Sequence, residues 1–488
     1  MLRDRLGART PKDGCSPQGQ CGCCTVWVDG QPRVSCVTPA NRVAGRSVTT
    51  LAGLPDADAW SRSFATHGAS QCGFCTPGIV MRAAALAPAA RSSPAAVDRA
   101  LAAHLCRCTG WQPIKDAVRH GPAGPAPPLV APAAGARRAA LEGGVRQRVG
   151  PRVAAGEGGF ADDTAPADAL VALRGEDGEW VVAETLAEAR RRAGKVQGRR
   201  STVPVTWPLA LPEGDWLRTL RTTWVEPGYL EPDASWCAPG GEPASALANG
   251  GAFGGKLTTD VGAVARRLAD EHGRPVRVLM AREDVVRRGP KRPPIAAGVR
   301  ADGTGTIRVV RTPGIDAAIA AGAPSLTVEQ VDVVGPPTSS ALRAAGTAEA
   351  AVLMLALTPG PDTVTTPAGA RATAVVDDDG VHVRVRAGDP LDEVVLRSYV
   401  SGAAHMALGW VRSEALAVDD DGVPVDLTIR SFGILKAAET PPITIEVEPA
   451  DRDAVKVGDA VFAAVAAAAW RRAGFPPTWP LNAPGSWQ

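Results

Sequence analysis

The sequence predicts an α/β protein of several domains, and three observations carry the prediction. Eight of the ten cysteines lie in the first 108 residues as two ordered sets, and a proline-rich run from Gly121 to Pro132 then interrupts the chain. The 488 residues, 45 % of them hydrophobic, correspond to about three domains at roughly 150 residues each, with enough apolar side chains to fill their cores.

The first cysteine set is Cys15, Cys21, Cys24 and Cys36. A plant-type [2Fe-2S] site takes three thiolates from one tight loop and the fourth from further along the chain. Cys15 to Cys24 is such a loop, and Gly14, Gly19 and Gly22 let its backbone curl and turn N–H groups toward cluster sulfurs. The alternating run Thr25–Val28, followed by Asp29-Gly30, predicts a hairpin that returns Cys36 as the fourth ligand.

The second set is Cys72, Cys75, Cys106 and Cys108. Ser93-Pro94 reads as a helix start, and Val97, Leu101 and Leu105 have helical spacing up to Cys106. Cys72 and Cys75 precede the apolar run Ile79–Met81, so two helix ends predict a second [2Fe-2S] site. Zinc remains an alternative for Cys-x2-Cys with Cys-x-Cys. Disulfides are the poorer reading, because the first residues show no signal-peptide pattern and predict a cytoplasmic chain whose thiols stay reduced. Cys23 reads as a spectator at a small-residue position and Cys237 as an ordinary buried thiol.

The net charge of +2 predicts neither nucleic-acid binding nor attachment to a charged membrane. The longest apolar stretch, Val461 to Trp470, is too short to span a bilayer. The Gly121–Pro132 run has a polyproline composition that cannot pack a core and behaves as a semi-rigid spacer.

The motifs Gln71-Cys72-Gly73-Phe74-Cys75-Thr76-Pro77-Gly78 and Leu105-Cys106-Arg107-Cys108-Thr109-Gly110, in this order after the first set, resemble the iron–sulfur portion of the xanthine dehydrogenase and aldehyde oxidase family of molybdenum hydroxylases. The resemblance covers residues 1 to about 120. Five residues separate Cys15 from Cys21, one more than the usual four, and the extra residue is expected to bulge outward. The family's first domain is a β-grasp ferredoxin fold that opens with two strands, whereas Met1–Gly7 looks like the helix after them. A misplaced start codon or a truncated copy is the expectation, with a partial β-grasp as its consequence.

A weaker resemblance runs through the rest. Gly158–Asp163, Val181–Thr185, Tyr229-Leu230-Glu231-Pro232, Asn249–Lys256, Arg282-Glu283-Asp284, Ala341–Gly346 and Arg430–Ala438 occur in the order of the family's molybdopterin portion, with no room for a flavin domain before them. That order implies the flavin-free arrangement: residues 1–50 a ferredoxin-like domain, 51–120 a four-helix [2Fe-2S] domain, 121–140 a Pro/Ala linker, 141–210 a shortened hammerhead-like opening domain, and 211–488 a shortened α+β molybdopterin-binding domain. The implied cofactors are two [2Fe-2S] clusters and molybdenum–molybdopterin, its cytosine dinucleotide form left open, without FAD.

The glycine motif has its own rationale, since consecutive N–H groups free of side-chain bulk make an anion-binding nest. The resemblance assigns cofactor contact to Gly251, Phe253, Gly254 and Gly255, and also to Gln71 and Arg343. A structural glycine turn and a surface arginine are the competing readings. The family's catalytic glutamate sits in a Gly-Glu pair near the C-terminus. The matching stretch here is Gly458-Asp459, so Asp459 becomes the candidate base on a shorter arm, where a misplacement of ~1 Å costs on the order of 100-fold in rate. An exposed helix N-cap is the competing reading of Asp459. Leu257 stands where many members place a substrate-contacting glutamate, and the molybdenum portion is roughly half the usual length.

The resemblance implies a hydroxylase that oxidises an aldehyde or N-heterocycle and passes electrons through the Cys72 cluster and then the Cys15 cluster to an external acceptor, as a homodimer or with a partner subunit. The other class is a degenerate member, an iron–sulfur electron carrier without molybdenum catalysis.

Overall fold

The computed structural model describes residues 1–123, 132–194, 203–249, 252–449 and 451–482. The chain opens with a short helix, α1 (Leu2–Leu6), and a loop that carries Cys15, Cys21, Cys23 and Cys24. Strands β1 (Thr25–Val28), β2 (Gln31–Val34) and β3 (Val48–Thr49) form one sheet with β1 in the middle, antiparallel to both neighbours. Asp29 and Gly30 both take positive φ, 49° and 76°, the primed-turn conformation that matches the twist of a tight hairpin. Beneath this sheet lies an apolar cavity of about 660 Å³ whose wall includes Leu6, Val26, Val28, Val43 and Leu173 and which reaches Cys24 and Cys36.

Next comes a helical unit: α2 (Ala57–Thr66), α3 (Thr76–Ala84), the single turn α4 (Pro88–Arg91), α5 (Pro94–Leu101) and α6 (Gln112–His120). Ser93 caps α5 by accepting the Ala96 N–H on its hydroxyl, and Pro94 occupies the first turn, where a missing N–H costs nothing. The helix predicted to run up to Cys106 stops at Leu101. The amide of Leu105 donates outside the helix, to the Cys21 carbonyl at 3.1 Å, so the segment before Cys106 is an ordered loop.

Two further expectations are corrected. The linker expected over 121–140 gives way at Pro132 to α7 (Pro132–Gly143), which buries Arg138, Ala139 and Glu142 and packs on the helix Glu393–Arg412. Proline composition misled here because Pro at the first position starts a helix as readily as it makes a spacer; residues 124–131 lie outside the described residues. The domain boundary expected at 210 falls inside a sheet. Strands Leu170–Arg174 and Trp180–Ala183 join Val276–Leu279 and Ala234–Cys237 in one four-stranded sheet, with 170–173 parallel to 276–279. A crossover strand that comes from a hundred residues away leaves no local mark on the sequence.

Two more four-stranded sheets follow, one with strands 326–331, 305–310, 295–299 and 218–221, the other with 362–365, 371–376, 381–386 and 443–447. The largest core lies where the helix Glu393–Arg412 meets the alanine-rich helix Gly458–Arg472, and the second helix also covers strand 371–376. Among the described residues no helix is long and apolar enough to cross a membrane.

Candidate functional site: two thiol sets and a small cavity

In the first set the Gln18 N–H points at Cys15 Sγ at 3.2 Å and the Cys36 N–H at Cys24 Sγ at 3.4 Å, the donors that a cluster sulfur accepts. Cys15 lies beside Cys21 and Cys36, and Cys24 beside Cys36; hydrogen bonds from Cys21 and Cys36 pull the Cys15 thiol down to about 2. Gly14 is a close approach rather than a matter of flexibility, since a Cβ there would sit 2.9 Å from the Leu230 carbonyl and 3.2 Å from Cys21 Sγ.

The second set is also paired. Cys72 and Cys108 sulfurs are 3.7 Å apart, and Cys75 lies beside Cys106, whose thiol is drawn down to about 6 by Cys75 and, more weakly, by Thr109. Two thiolates on one tetrahedral metal, with bonds of about 2.3 Å, stand about 3.7 Å apart. Among the described residues no three His, Cys, Asp or Glu side chains close around one point. A [2Fe-2S] core takes two thiolates per iron; the second set stands in two such pairs and the first set supplies four neighbouring thiols, so both donor sets fit that cluster in number and chemistry.

The two sets meet across a tight seam. The Leu105 N–H bonds the carbonyl of Cys21 at 3.1 Å, which joins a ligand of the first set to the residue preceding Cys106. A Cβ at Gly78 would fall 2.3 Å from the Gly22 carbonyl, and one at Gly22 would fall 2.4 Å from the His104 ring. His104 is buried, meets the Thr25 hydroxyl at 3.2 Å, and has its pKa lowered to about 4 by burial. Cys23 is fully buried at this seam with its carbonyl against Gly78.

The same unit is built into the C-terminal half. Gln71 donates its amide to the Cys108 carbonyl at 2.8 Å and to Ser398 Oγ at 2.9 Å, so this candidate cofactor contact is used within the protein. Asn249 donates to the Cys72 carbonyl at 2.9 Å. Arg107, between the two cysteines of the second set, reaches the other way: it donates to the Pro227 carbonyl at 2.9 Å and to Glu414 Oε2 at 2.7 Å, with both side chains buried.

Arg107 and Glu414 line a small cavity together with Phe253, Arg343, Met406 and Phe462. Phe253 holds φ at +49°, and its ring lies 4.1 Å from the Arg343 guanidinium. Arg343 is buried, donates Nη1 to Met406 Sδ at 3.2 Å, and leaves Nη2 without a partner. Burial pushes its pKa down, while Asp459 and Glu142 favour the charge. Asp459 is not the helix N-cap, a place taken by Val457; it is half-buried, with Oδ2 on Lys456 at 2.7 Å and Oδ1 buried without a partner. The structure therefore brings Phe253 and Arg343 onto one cavity wall from distant segments, with Asp459 outside that wall but near enough to favour the Arg343 charge. Gly254 and Gly255 press on protein instead: a Cβ would fall 2.0 Å from the Ala341 carbonyl and 2.8 Å from the Tyr229 ring, respectively. Gly251 lies outside the described residues, and Leu257 is exposed.

Sequence reading gave no role to Arg107, Glu414, Asn249 and Ser398. The signals for Arg107 and Asn249 were their places inside Cys106-Arg107-Cys108 and at the head of the Asn249–Lys256 motif; Glu414 and Ser398 carry none. The unpartnered Arg343 Nη2 suits an acceptor or anionic group, but the cavity volume is about 30 Å³, room for about one water and an order of magnitude below an organic-ligand site. A pterin does not fit this cavity as it stands.

Residues 50–119 match the family of the [2Fe-2S] binding domain. The chain is 40 % identical over 124 residues to the xanthine dehydrogenase iron-sulfur-binding subunit of Escherichia coli O157:H7, covering 77 % of that protein and 24 % of this chain. It is 40 % identical over 125 residues to the aldehyde oxidoreductase of Megalodesulfovibrio gigas, but that match spans only 14 % of the relative's length and 24 % of this chain. The solved aldehyde oxidoreductase from Desulfovibrio gigas shares its fold, with a TM-score of 0.72 at 15 % identity over 99 % of this chain and 96 % of that one. Paired thiols, a matching [2Fe-2S] domain and a relative aligned over three quarters of its length agree: the chain belongs to the xanthine dehydrogenase and aldehyde oxidase family of molybdopterin-dependent oxidoreductases.

Proposed function

We propose that the chain is the electron-relaying part of a molybdenum-dependent hydroxylase of the cytoplasm that oxidises an aldehyde or an N-heterocycle. Cys72, Cys75, Cys106 and Cys108 hold the inner [2Fe-2S] cluster, and Cys15, Cys21, Cys24 and Cys36 the outer one. Electrons enter at the inner cluster, cross the seam, and leave the outer cluster for an external acceptor without FAD. The observation that carries this reading is the hydrogen bond from Leu105 N–H to the Cys21 carbonyl at 3.1 Å, which links the two ligand sets through a single non-covalent step.

When bound, a molybdenum–pterin group, in the plain or cytosine dinucleotide form, would supply the oxidation itself. Gly251, Phe253, Gly254, Gly255, Arg343, Gln71 and the candidate base Asp459 are the residues the family likeness offers it. With a cavity of only about 30 Å³ at Phe253 and Arg343, that group needs the site to widen or a partner subunit, or a second copy, to complete it. The same small volume favours a second reading, an iron–sulfur electron-transfer protein without molybdenum catalysis.

Metal analysis of anaerobically purified protein separates the two. About four iron and one molybdenum per chain support the hydroxylase; about four iron without molybdenum leave the electron carrier; a colourless protein with zinc and no dithionite-induced spin signal removes both.

A further inference from the structure

Two sequence motifs reach the second thiol set, and the electron relay gives their charged residues no task. Asn249, at the head of one motif, holds the Cys72 carbonyl. Lys256, at its tail, lines a cavity of about 10 Å³ together with Cys72, Cys75 and Cys108, and Glu231 of Tyr229-Leu230-Glu231-Pro232 lies on the same wall. The Lys256 and Glu231 side chains are 1 % and 8 % exposed, and Nζ stands 2.8 Å from Oε2.

The surroundings do little to spread these two charges. Nζ also donates to the Ala246 carbonyl at 3.3 Å and lies 5.2 Å from the centre of the Tyr229 ring. Glu231 Oε1 is buried with no hydrogen-bond partner, and the other charges that act on this carboxylate, Asp233 and Asp163, have its own sign. The remaining charge on the wall, Arg107, is matched by Glu414. Lys256 and Glu231 therefore decide the balance of charge presented to the thiols. A buried ion pair stabilises a fold little more than an apolar pair of the same volume, so stability alone does not account for it.

We propose that this pair sets the reduction potential of the cluster held by Cys72, Cys75, Cys106 and Cys108, Lys256 raising it and Glu231 restraining the rise. The inference rests on the reading that this set holds a [2Fe-2S] cluster. Reduction brings in one electron, takes one iron from ferric to ferrous and adds one negative charge to the cluster. A buried ammonium beside the thiols stabilises that charge and a buried carboxylate opposes it, both with more force than in water. Net charge and burial are among the factors that spread such potentials widely.

The test is dithionite titration of the anaerobically purified, iron-loaded full chain, in which the spin signal abolished by Cys106→Ala is followed against potential. Lys256→Met strands the carboxylate and is compared with the parent at about pH 9; Glu231→Gln strands the ammonium and is compared at about pH 6, so that each buried group keeps its charge. The expected shifts have opposite signs. The one-electron equilibrium moves toward the oxidised cluster in Lys256→Met and toward the reduced cluster in Glu231→Gln, on the order of tenfold or about 59 mV each. Lys256→Arg keeps the charge and stays closer to the parent than Lys256→Met. In Lys256→Met the signal of the first set moves less than that of the second.

Shifts of the same sign in both single variants, as loosened packing alone produces, overturn the proposal. So does an unmoved potential in either, or an equal shift of both signals in Lys256→Met. If Lys256→Met does not retain iron, the rise in Glu231→Gln and the parent-like potential of Lys256→Arg decide the matter. Iron content separates the two levels of the argument: a parent protein without iron removes the cluster reading and this inference with it, whereas iron-loaded variants with unmoved potentials remove this inference and leave the electron relay standing.

Discussion

Replacing Arg107 with methionine tests whether the second thiol set is anchored to the C-terminal half by a buried charge pair. Arg107 and Glu414 have side chains 3 % and 1 % exposed, Nη2 lies 2.7 Å from Oε2, and Nε also holds the Pro227 carbonyl. Burial pushes the Glu414 carboxyl up, and the Arg107 charge is the main force holding it ionised. Arg107→Met removes that charge and strands a buried carboxylate, a loss of about 3–5 kcal/mol. At roughly 2–4 °C per kcal/mol for a large domain, the unfolding midpoint falls by about 6–20 °C. The double variant Arg107→Met/Glu414→Leu removes both charges and regains stability to within about 1.5 kcal/mol of the parent. The pH dependence has a definite sign. In Arg107→Met the folded-state pKa of Glu414 lies above its unfolded value, so the folded form holds more protons and the deficit shrinks as pH falls from 7 toward 5. Thermal unfolding followed by far-ultraviolet dichroism and by loss of visible cluster absorption reads all of this. A single variant that loses less than about 1 kcal/mol, or a double variant no more stable than the single, refutes the reasoning.

Other outcomes follow from the same geometry. Cys106→Ala removes one of two dithionite-induced spin signals, and Cys24→Ala removes the other; loss of both signals in either variant argues against separate clusters. Gly78→Ala drives a methyl onto the Gly22 carbonyl at 2.3 Å, and with backbone on both sides the expected cost is about 1–3 kcal/mol with a weakened magnetic interaction between reduced clusters; unchanged melting and coupling count against the seam. His104 and His405 are both buried with pKa lowered to about 4. Their unfolded forms take up protons near pH 6.5 and their folded forms do not, so stability present above pH 6.5 is lost as pH falls toward 4, roughly 3 kcal/mol for each at most, and a flat stability profile over that range contradicts the assignment. Arg343, buried with Nη2 unpartnered, makes Arg343→Met neutral or stabilising by about 1 kcal/mol in protein without a bound cofactor; a loss above 2 kcal/mol means that a partner for Nη2 exists.

The iron–sulfur half was legible because its chemistry is local. Cys15 to Cys24, the Asp29-Gly30 turn and the Ser93-Pro94 start each fix geometry within a few residues, and the hairpin and helices form where those residues stand. The helix forecast up to Cys106 failed for a non-local reason: the Leu105 amide is taken by Cys21. The linker forecast failed from 132 onward because the burial of Arg138 and Glu142 against another segment, not proline content, decides that stretch.

The candidate cavity was only partly legible. Phe253 and Arg343 share its wall, but of their neighbours only Arg107 stands in a motif while Glu414 and Met406 do not, and the glycines thought to clear space for a cofactor mostly admit backbone from Ala341 or the Tyr229 ring.

By itself the sequence determined which atoms can bind iron, since eight thiols at ligand spacing are a property of composition and order. Only the tertiary structure decided how the thiols stand against one another, how one set touches the other, and how little room remains beside Phe253. Those are matters of volume and contact between residues hundreds of positions apart, and close packing settles them only once the whole chain has folded.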